Sequence, residues 1–364
     1  MFAGIVGFQL RNLALRMASV ALVAFGAVSV TQAQSAPAAQ GNQNPPAAYD
    51  DDPMSLPPRT AQVPLTVVPP SNPTSRAPIQ SQGSEDQGRF VFKKQVQEVV
   101  LHATVVDETG RLVTSLDRTA FSIFQNGQPQ AITSFRREDM PVAVGIVVDN
   151  SGSMRDKRDK VNQAVLNLVQ LSNPQDEAFI VNFGQTPYLD QDFTSNVHLL
   201  QTALHQVTSR GSTALYDAVV ASDVHLRNNP RLEKKVLLVI TDGQDNMSRE
   251  TLQDAVRKLQ SAKGPTVYAI GLADEGMNRS AREALESLVA STGGAAFFPQ
   301  NLDDVDSITR AIAHDIRNQY TLAYNPGTTE GIGYQRIQVE ARTPDRKHLT
   351  VRTRSGYYPG ETLR

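Results

Sequence analysis

The stretch "VGIVVDNSGSMRDK", Val144 to Lys157, sets an apolar run against an aspartate and two serines spaced D-x-S-x-S. A second apolar run, "KVLLVITDG", ends in Asp242 followed by Gly243, and "RGSTALYDAV" between them offers Thr213. These five side chains carry only oxygen donors, the ligand set that a hard divalent cation such as Mg²⁺ takes in near-octahedral array. Each serine or aspartate alone reads as a helix N-cap, since these residues commonly end the approach to a helix. Together, Asp149, Ser151, Ser153, Thr213 and Asp242 are candidate metal ligands. Gly152 lets the loop fold tightly enough for both serines to face one centre, and Gly211 gives the backbone freedom to turn inward. Two carboxylates match the charge of a dication while three neutral hydroxyls leave it receptive to a further oxygen, so an outside carboxylate is the expected addition.

The elements that must position these groups follow from the texture between Pro141 and Asn318. Apolar runs at "VAVGIVVD", "AFIVNF", "KVLLVITD", "TVYAIGL" and "AAFFP" alternate with helical patterns such as Val161, Val165, Leu168 and Val169. Near-continuous apolar strands alternating with helices predict a doubly wound, Rossmann-like, mostly parallel sheet covered on both faces. In such a sheet ligands sit beyond the carboxyl ends of the strands, where the strand order reverses. "YLDQDFT" follows Phe183 too closely for a crossover helix and predicts an antiparallel edge strand. Ser280 and Glu283 predict a capping box ahead of "ALESLVAS".

Residues 89–140 and 319–364 read as β text. The first includes "FSIF" and an Asn126-Gly127 hairpin turn, the second "YTLAYNP", "YQRIQVEAR" and "HLTVRTRSGYY". Because the entry and exit points of a domain often lie close together, the two flanks are candidates for one β-sandwich around the α/β domain at 141–318.

The N-terminus carries Arg11 and Arg16, an uncharged run from Met17 to Val30, and small residues ending at Ala33. This predicts a signal peptide over 1–33, the apolar run falling short of the roughly 20 residues that span a bilayer. Residues 34–88 hold eleven of the chain's 21 prolines and read as a disordered, Pro/Gln-rich linker. The expected location is the periplasm or the exterior, with no membrane span in the mature chain. Lys+Arg 35 against Asp+Glu 37 gives a net charge of −2, so no global field points to nucleic acid. With no cysteine, disulfides and thiolate metal sites are excluded, and His102, His198, His205, His225, His314 and His348 lack zinc-ligand spacing.

The D-x-S-x-S loop, the distant threonine and the T-D-G strand end resemble a von Willebrand factor A domain with its metal-ion-dependent adhesion site. The stretch "LDRTAFSIFQNGQPQAITSFRREDMPVAVGIVVDNSGSM" and the ending "RTRSGYYP" are similar to an exported acidobacterial subgroup of such proteins. The resemblance implies Mg²⁺, with Mn²⁺ or Ca²⁺ as alternatives, held by the five residues named. It also implies that the serines and, in some states, the threonine touch the metal, while an aspartate often acts through water. One departure is Asp245 beside Asp242, which would weaken outside carboxylates if it turned inward. The leading expectation is a non-enzymatic binding module that captures an Asp or Glu carboxylate of a protein partner. A structural envelope scaffold with a stabilising metal is second. A metal-assisted hydrolase is third, because "DNSGS" lacks the G-x-S-x-G elbow and no histidine is placed as its base.

Overall fold

The computed structural model describes residues 98–359 except 138, 206–208, 210, 230, 273–276, 327–332 and 344–348. The expected signal peptide and linker therefore lie outside the described residues. The chain runs β1 (Val99–Val106), β2 (Phe121–Gln125), β3 (Gln128–Gln130), β4 (Ile132–Arg136), β5 (Val142–Asp149), α1 (Arg158–Gln170), β6 (Glu177–Phe183), β7 (Pro187–Thr194) and α2 (Val197–His205). It continues through α3 (Leu215–Asn228), β8 (Lys234–Thr241), α4 (Leu252–Leu259), β9 (Thr266–Gly271), α5 (Arg279–Thr292), β10 (Ala296–Phe297) and α6 (Asp304–Arg317). The last strands are β11 (Tyr320–Tyr324), β12 (Gln335–Ala341), β13 (Thr350–Arg352) and β14 (Gly356–Tyr357).

The α/β part is a six-stranded sheet in the order β10-β9-β8-β5-β6-β7. All neighbours are parallel except β7, which runs antiparallel along β6 at the edge. Every residue of β5 and β8 is buried, which is why both read as apolar over their middle, Val142 to Val148 and Val236 to Ile240: each face lies under helices. Val161, Val165 and Leu168 of α1 pack with Leu200 of α2 and Ile312 of α6 on one face. Leu215 of α3, Leu259 of α4 and Leu288 of α5 cover the other. From β5 the chain crosses to β6 on one side and later returns to β8 on the other, so β5 and β8 flank the switch point.

Two local readings change. Helix α5 is capped by Asn278, whose side chain accepts from the Ala281 amide, two residues ahead of the expected Ser280. The capping box instead opens α4, where Thr251 and Asp254 bond reciprocally. "AAFFP" supplies only the two-residue strand β10.

The β text forms two four-stranded antiparallel sheets, β13-β1-β11-β4 and β14-β12-β2-β3. Strands from before and after the α/β part pair directly: β1 with β11 and β2 with β12. Leu101, Ile123, Tyr320, Leu322 and Ile337 from both sheets share one apolar core. The β2–β3 turn holds Asn126 at φ 51° and Gly127 at φ 78°, the left-handed pair that a two-residue hairpin needs. Among the described residues, no helix is long and apolar enough to cross a membrane.

Candidate metal centre

The carboxyl ends of β5 and β8 are neighbours, with Val148 in register with Ile240. That pairing brings Asp149, the last residue of β5, beside Thr241, the last of β8. Asp149 is fully buried. Its Oδ2 accepts from Thr241 Oγ1 at 2.6 Å and its Oδ1 from the Ser151 amide at 2.7 Å. Burial pushes its carboxyl up from the ordinary value, and these donors and the Ser151 hydroxyl pull it partly back. A carboxylate has about four lone-pair positions, so acceptor capacity remains.

Beyond Asp149 the chain passes Ser151 and turns through a short 3-10 segment, Gly152–Met154, from which Ser153 reaches the second strand end. Ser151 Oγ and Ser153 Oγ lie 3.1 Å apart, and Ser153 Oγ donates to Asp242 Oδ1 at 2.8 Å. Ser151 and Asp242 are buried while Ser153 is exposed. Thr213, also buried, arrives from the loop before α3; a Cβ placed on Gly243 would sit 3.7 Å from its Oγ1. The structure thus brings all five predicted residues to one place. A cavity of about 490 Å³ opens there, lined by Ser153, Lys157, Thr213, Asp242 and Gly243 among others.

The loops are tied together by the chain itself. The Gly152 amide donates to the Gly211 carbonyl, where Gly211 stands at φ +88°, and Asn246 and Thr213 exchange bonds in both directions. Asp245 lines the same cavity, with its carboxylate bonded away from the five donors. Its carboxylate accepts from the Tyr216 amide at 3.1 Å and from Ser248, fastening the loop after Asp242 to the start of α3. Asp217 accepts from the Arg249 and Glu250 amides and completes that stitch.

Three residues at this centre escaped the sequence reading. Thr241 holds Asp149, as described. Arg158, buried at the start of α1, donates to the Asp149 carbonyl at 3.2 Å and to Asn182 Oδ1 at 2.8 Å. Burial lowers its guanidinium to about 10. Lys157 Nζ lies 2.6 Å from Asp242 Oδ2, with the two side chains 11% and 1% exposed. The sequence reading counted the charges of Asp149 and Asp242 alone, whereas the structure sets an ammonium against Asp242. The only sequence signal was position, four residues after Ser153 on the same loop.

The donor set suits a hard cation: hydroxyl and carboxylate oxygens converge, and no sulfur or imidazole is among them. Such an ion would be held by Ser151, Ser153, Thr213 and the two aspartates, and would supply Lewis acidity toward an incoming anionic oxygen.

Residues 144–244 match the family model described as von Willebrand factor type A domain. No curated protein matches the chain. Among solved structures it is similar to the PilB minor pilin from Streptococcus sanguinis, at 14% identity and TM-score 0.42, over 50% of this chain and 63% of that one. It is similar to a von Willebrand factor type A protein from Catenulispora acidiphila at 13% identity and TM-score 0.43, over 71% of this chain and 73% of that one. A third likeness is proximal thread matrix protein 1 from the mussel byssus with a zinc-occupied MIDAS motif, at 16% identity and TM-score 0.45, covering 52% of this chain and 50% of that one. The match thus spans less than two thirds of the pilin's and the byssus protein's chains. That family match lies over β5, β8 and the loops between them, so the oxygen cluster falls within the stretch that is similar to a von Willebrand factor type A domain.

Proposed function

We propose that this chain is an extracytoplasmic binding module whose α/β domain, taken as 141–318, holds a divalent cation at Asp149, Ser151, Ser153, Thr213 and Asp242. Mg²⁺ is the first choice, with Mn²⁺ or Ca²⁺ as alternatives, and the bound ion captures an Asp or Glu carboxylate of a partner protein. The observation that carries this reading is the hydrogen-bonded oxygen cluster at the β5/β8 switch point, opening onto a cavity. Export rests on residues 1–33, and the resemblance to exported A-domain proteins supports it.

Binding is favoured over acyl transfer because, among the described residues, the Ser151 hydroxyl meets only Ser153 Oγ and the Asp149 carboxylate that is itself tied to Thr241, and no histidine lines the cavity to act as its base. It is favoured over a purely structural metal because the three loops are joined by the protein's own hydrogen bonds, Gly152 to Gly211 and Asn246 to Thr213. A scaffold metal would be expected to replace such links.

The test is calorimetric titration with Mn²⁺ of the wild type and of Asp149→Ala, Ser151→Ala and Thr213→Ala. Each variant should bind more weakly, with far-UV circular dichroism near the wild type for the two hydroxyl deletions. Unchanged affinity in all three would refute the site. Partner capture is tested by pull-down from envelope extracts in Mg²⁺ and in EDTA: a partner retained equally in EDTA refutes capture through the metal.

A further inference from the structure

Lys157 is an unusual neighbour for a metal centre, because the same loop that delivers the two hydroxyls also delivers a positive charge. Asp242 has its two oxygens engaged by different groups, Oδ1 by the Ser153 hydroxyl at 2.8 Å and Oδ2 by the Lys157 ammonium at 2.6 Å. The amine is held in a nearly buried pair, where screening by water is weak. Two buried carboxylates raise each other's energy when both are ionised, and Asp242 contributes to the upward push on Asp149. The ammonium compensates that repulsion.

We propose that Lys157 is a tethered counter-cation of Asp242 which a divalent ion must displace, and that it swings into an adjoining cavity when the ion arrives. The proposal rests on reading the oxygen cluster as a metal site. An ion on Asp242 and an ammonium on the same carboxylate repel each other at short range, so their occupancies exclude one another. The destination is visible in the structure. Lys157 lines a second cavity of about 300 Å³ together with Pro299, Gln300, Asn301, Leu302 and Asp303. Gln300, Asn301 and Asp303 in that wall are residue types that carry side-chain oxygens, and Asp303 already accepts the ammonium of Lys160. A lysine has a flexible four-carbon stem and three rotatable donors, which lets one residue serve both cavities.

The consequence is an exchange of one cation for another. The cluster carries one net negative charge while Lys157 is seated and two once it has left, so the wild-type affinity is reduced by the work of unseating the amine. Metal binding and Lys157 release are reciprocal by linkage.

The experiment uses the full chain. Mn²⁺ is titrated calorimetrically into the wild type, Lys157→Met and Lys157→Arg. Since removing one partner of a buried pair leaves the other charge unpaired, Lys157→Met should bind Mn²⁺ roughly 10-fold or more tightly, and Lys157→Arg should stay near the wild type. In parallel, the wild type is acetylated with an N-hydroxysuccinimide ester with and without Mg²⁺, and modification at Lys157 is quantified by peptide mass spectrometry. Released from its buried carboxylate, Lys157 should label several-fold faster with metal. Equal or weaker Mn²⁺ affinity in Lys157→Met overturns the proposal while leaving the metal site intact. Metal-independent labelling overturns it even if that variant fails to fold. Absence of Mn²⁺ binding by every protein, including the wild type, overturns the metal reading and this proposal with it.

Discussion

Thr241→Val is the sharpest probe of how Asp149 is held, because it changes one hydroxyl for a methyl of nearly the same shape. Thr241 is fully buried, its Oγ1 donates to Asp149 Oδ2 at 2.6 Å, and the Gly243 amide approaches the same oxygen at 3.3 Å. A hydrogen bond to a charged acceptor contributes about 1.5–3 kcal/mol, and the buried carboxylate would lose it outright. Gly243 is half-buried, so water can take over part of its loss, and the added methyl buries well. The net expected loss is about 1–2 kcal/mol of unfolding free energy, measured by urea denaturation in EDTA. Metal affinity should fall about 10- to 100-fold, the usual cost of removing a partner that orients a ligand. Thr241→Ser keeps the donor and should keep both properties. If Thr241→Val matched the wild type in urea midpoint and in Mn²⁺ affinity, Thr241 would not be what fixes Asp149.

Gly145→Ala should lower stability by about 1–3 kcal/mol through overpacking, read as a lower urea midpoint at constant slope, because an added Cβ would stand 2.5 Å from Leu237 Cδ2 and from Phe179 Cζ. His102, whose Nδ1 lies 3.2 Å from Thr321 Oγ1, is lowered by burial, and then by Lys234 and Arg354, from 6.5 to about 3. The unfolded chain therefore takes up this proton first, so stability falls as pH drops from 6.5 toward 3, by at most about 1.4 kcal/mol per unit, and His102→Gln should flatten that slope in pH-dependent urea melts. Arg354→Met strips donors from the Ser261, Ala262 and Gly264 carbonyls, at 3.1, 2.9 and 2.8 Å; it should cost about 2–4 kcal/mol in urea melts yet leave Mn²⁺ affinity unchanged, because that loop enters β9 at the end of the sheet opposite the cluster.

The α/β layers were legible because parallel strands buried on both faces are apolar along most of their length, as β5 is from Val142 to Val148 and β8 from Val236 to Ile240, and because α1 repeats its apolar residues at helical spacing. Antiparallel β7 was legible from loop length alone. The cap of α5 was not, since Asn278 and Ser280 are both good capping residues and only the observed helix start chooses between them. The pairing of β1 with β11 lies further still from any local signal: Val99 meets Tyr324 across the whole α/β part, and nothing in either segment names the other.

At the candidate metal centre the same distinction separates what could be read from what could not. The five oxygen donors follow strand ends or enter helices, so residue type and chain position were enough to nominate them. Thr241 needed the β5–β8 register, which sets it beside Asp149. Lys157 needed a side-chain conformation, because a lysine before a helix ordinarily extends into water, whereas here it folds back 2.6 Å from Asp242. That one conformation changes the electrostatic argument more than any ligand does. With the ammonium seated, an approaching anion meets one net negative charge shared among Asp149, Asp242 and Lys157. Were the ion seated and Lys157 in the neighbouring cavity, as proposed, the dication would balance both carboxylates and an extra positive charge would stand beside them. Under the proposed function, a partner's carboxylate would be disfavoured before the exchange and favoured after it. On this reading metal dependence of partner binding does not require any movement of the sheet, only the departure of one side chain.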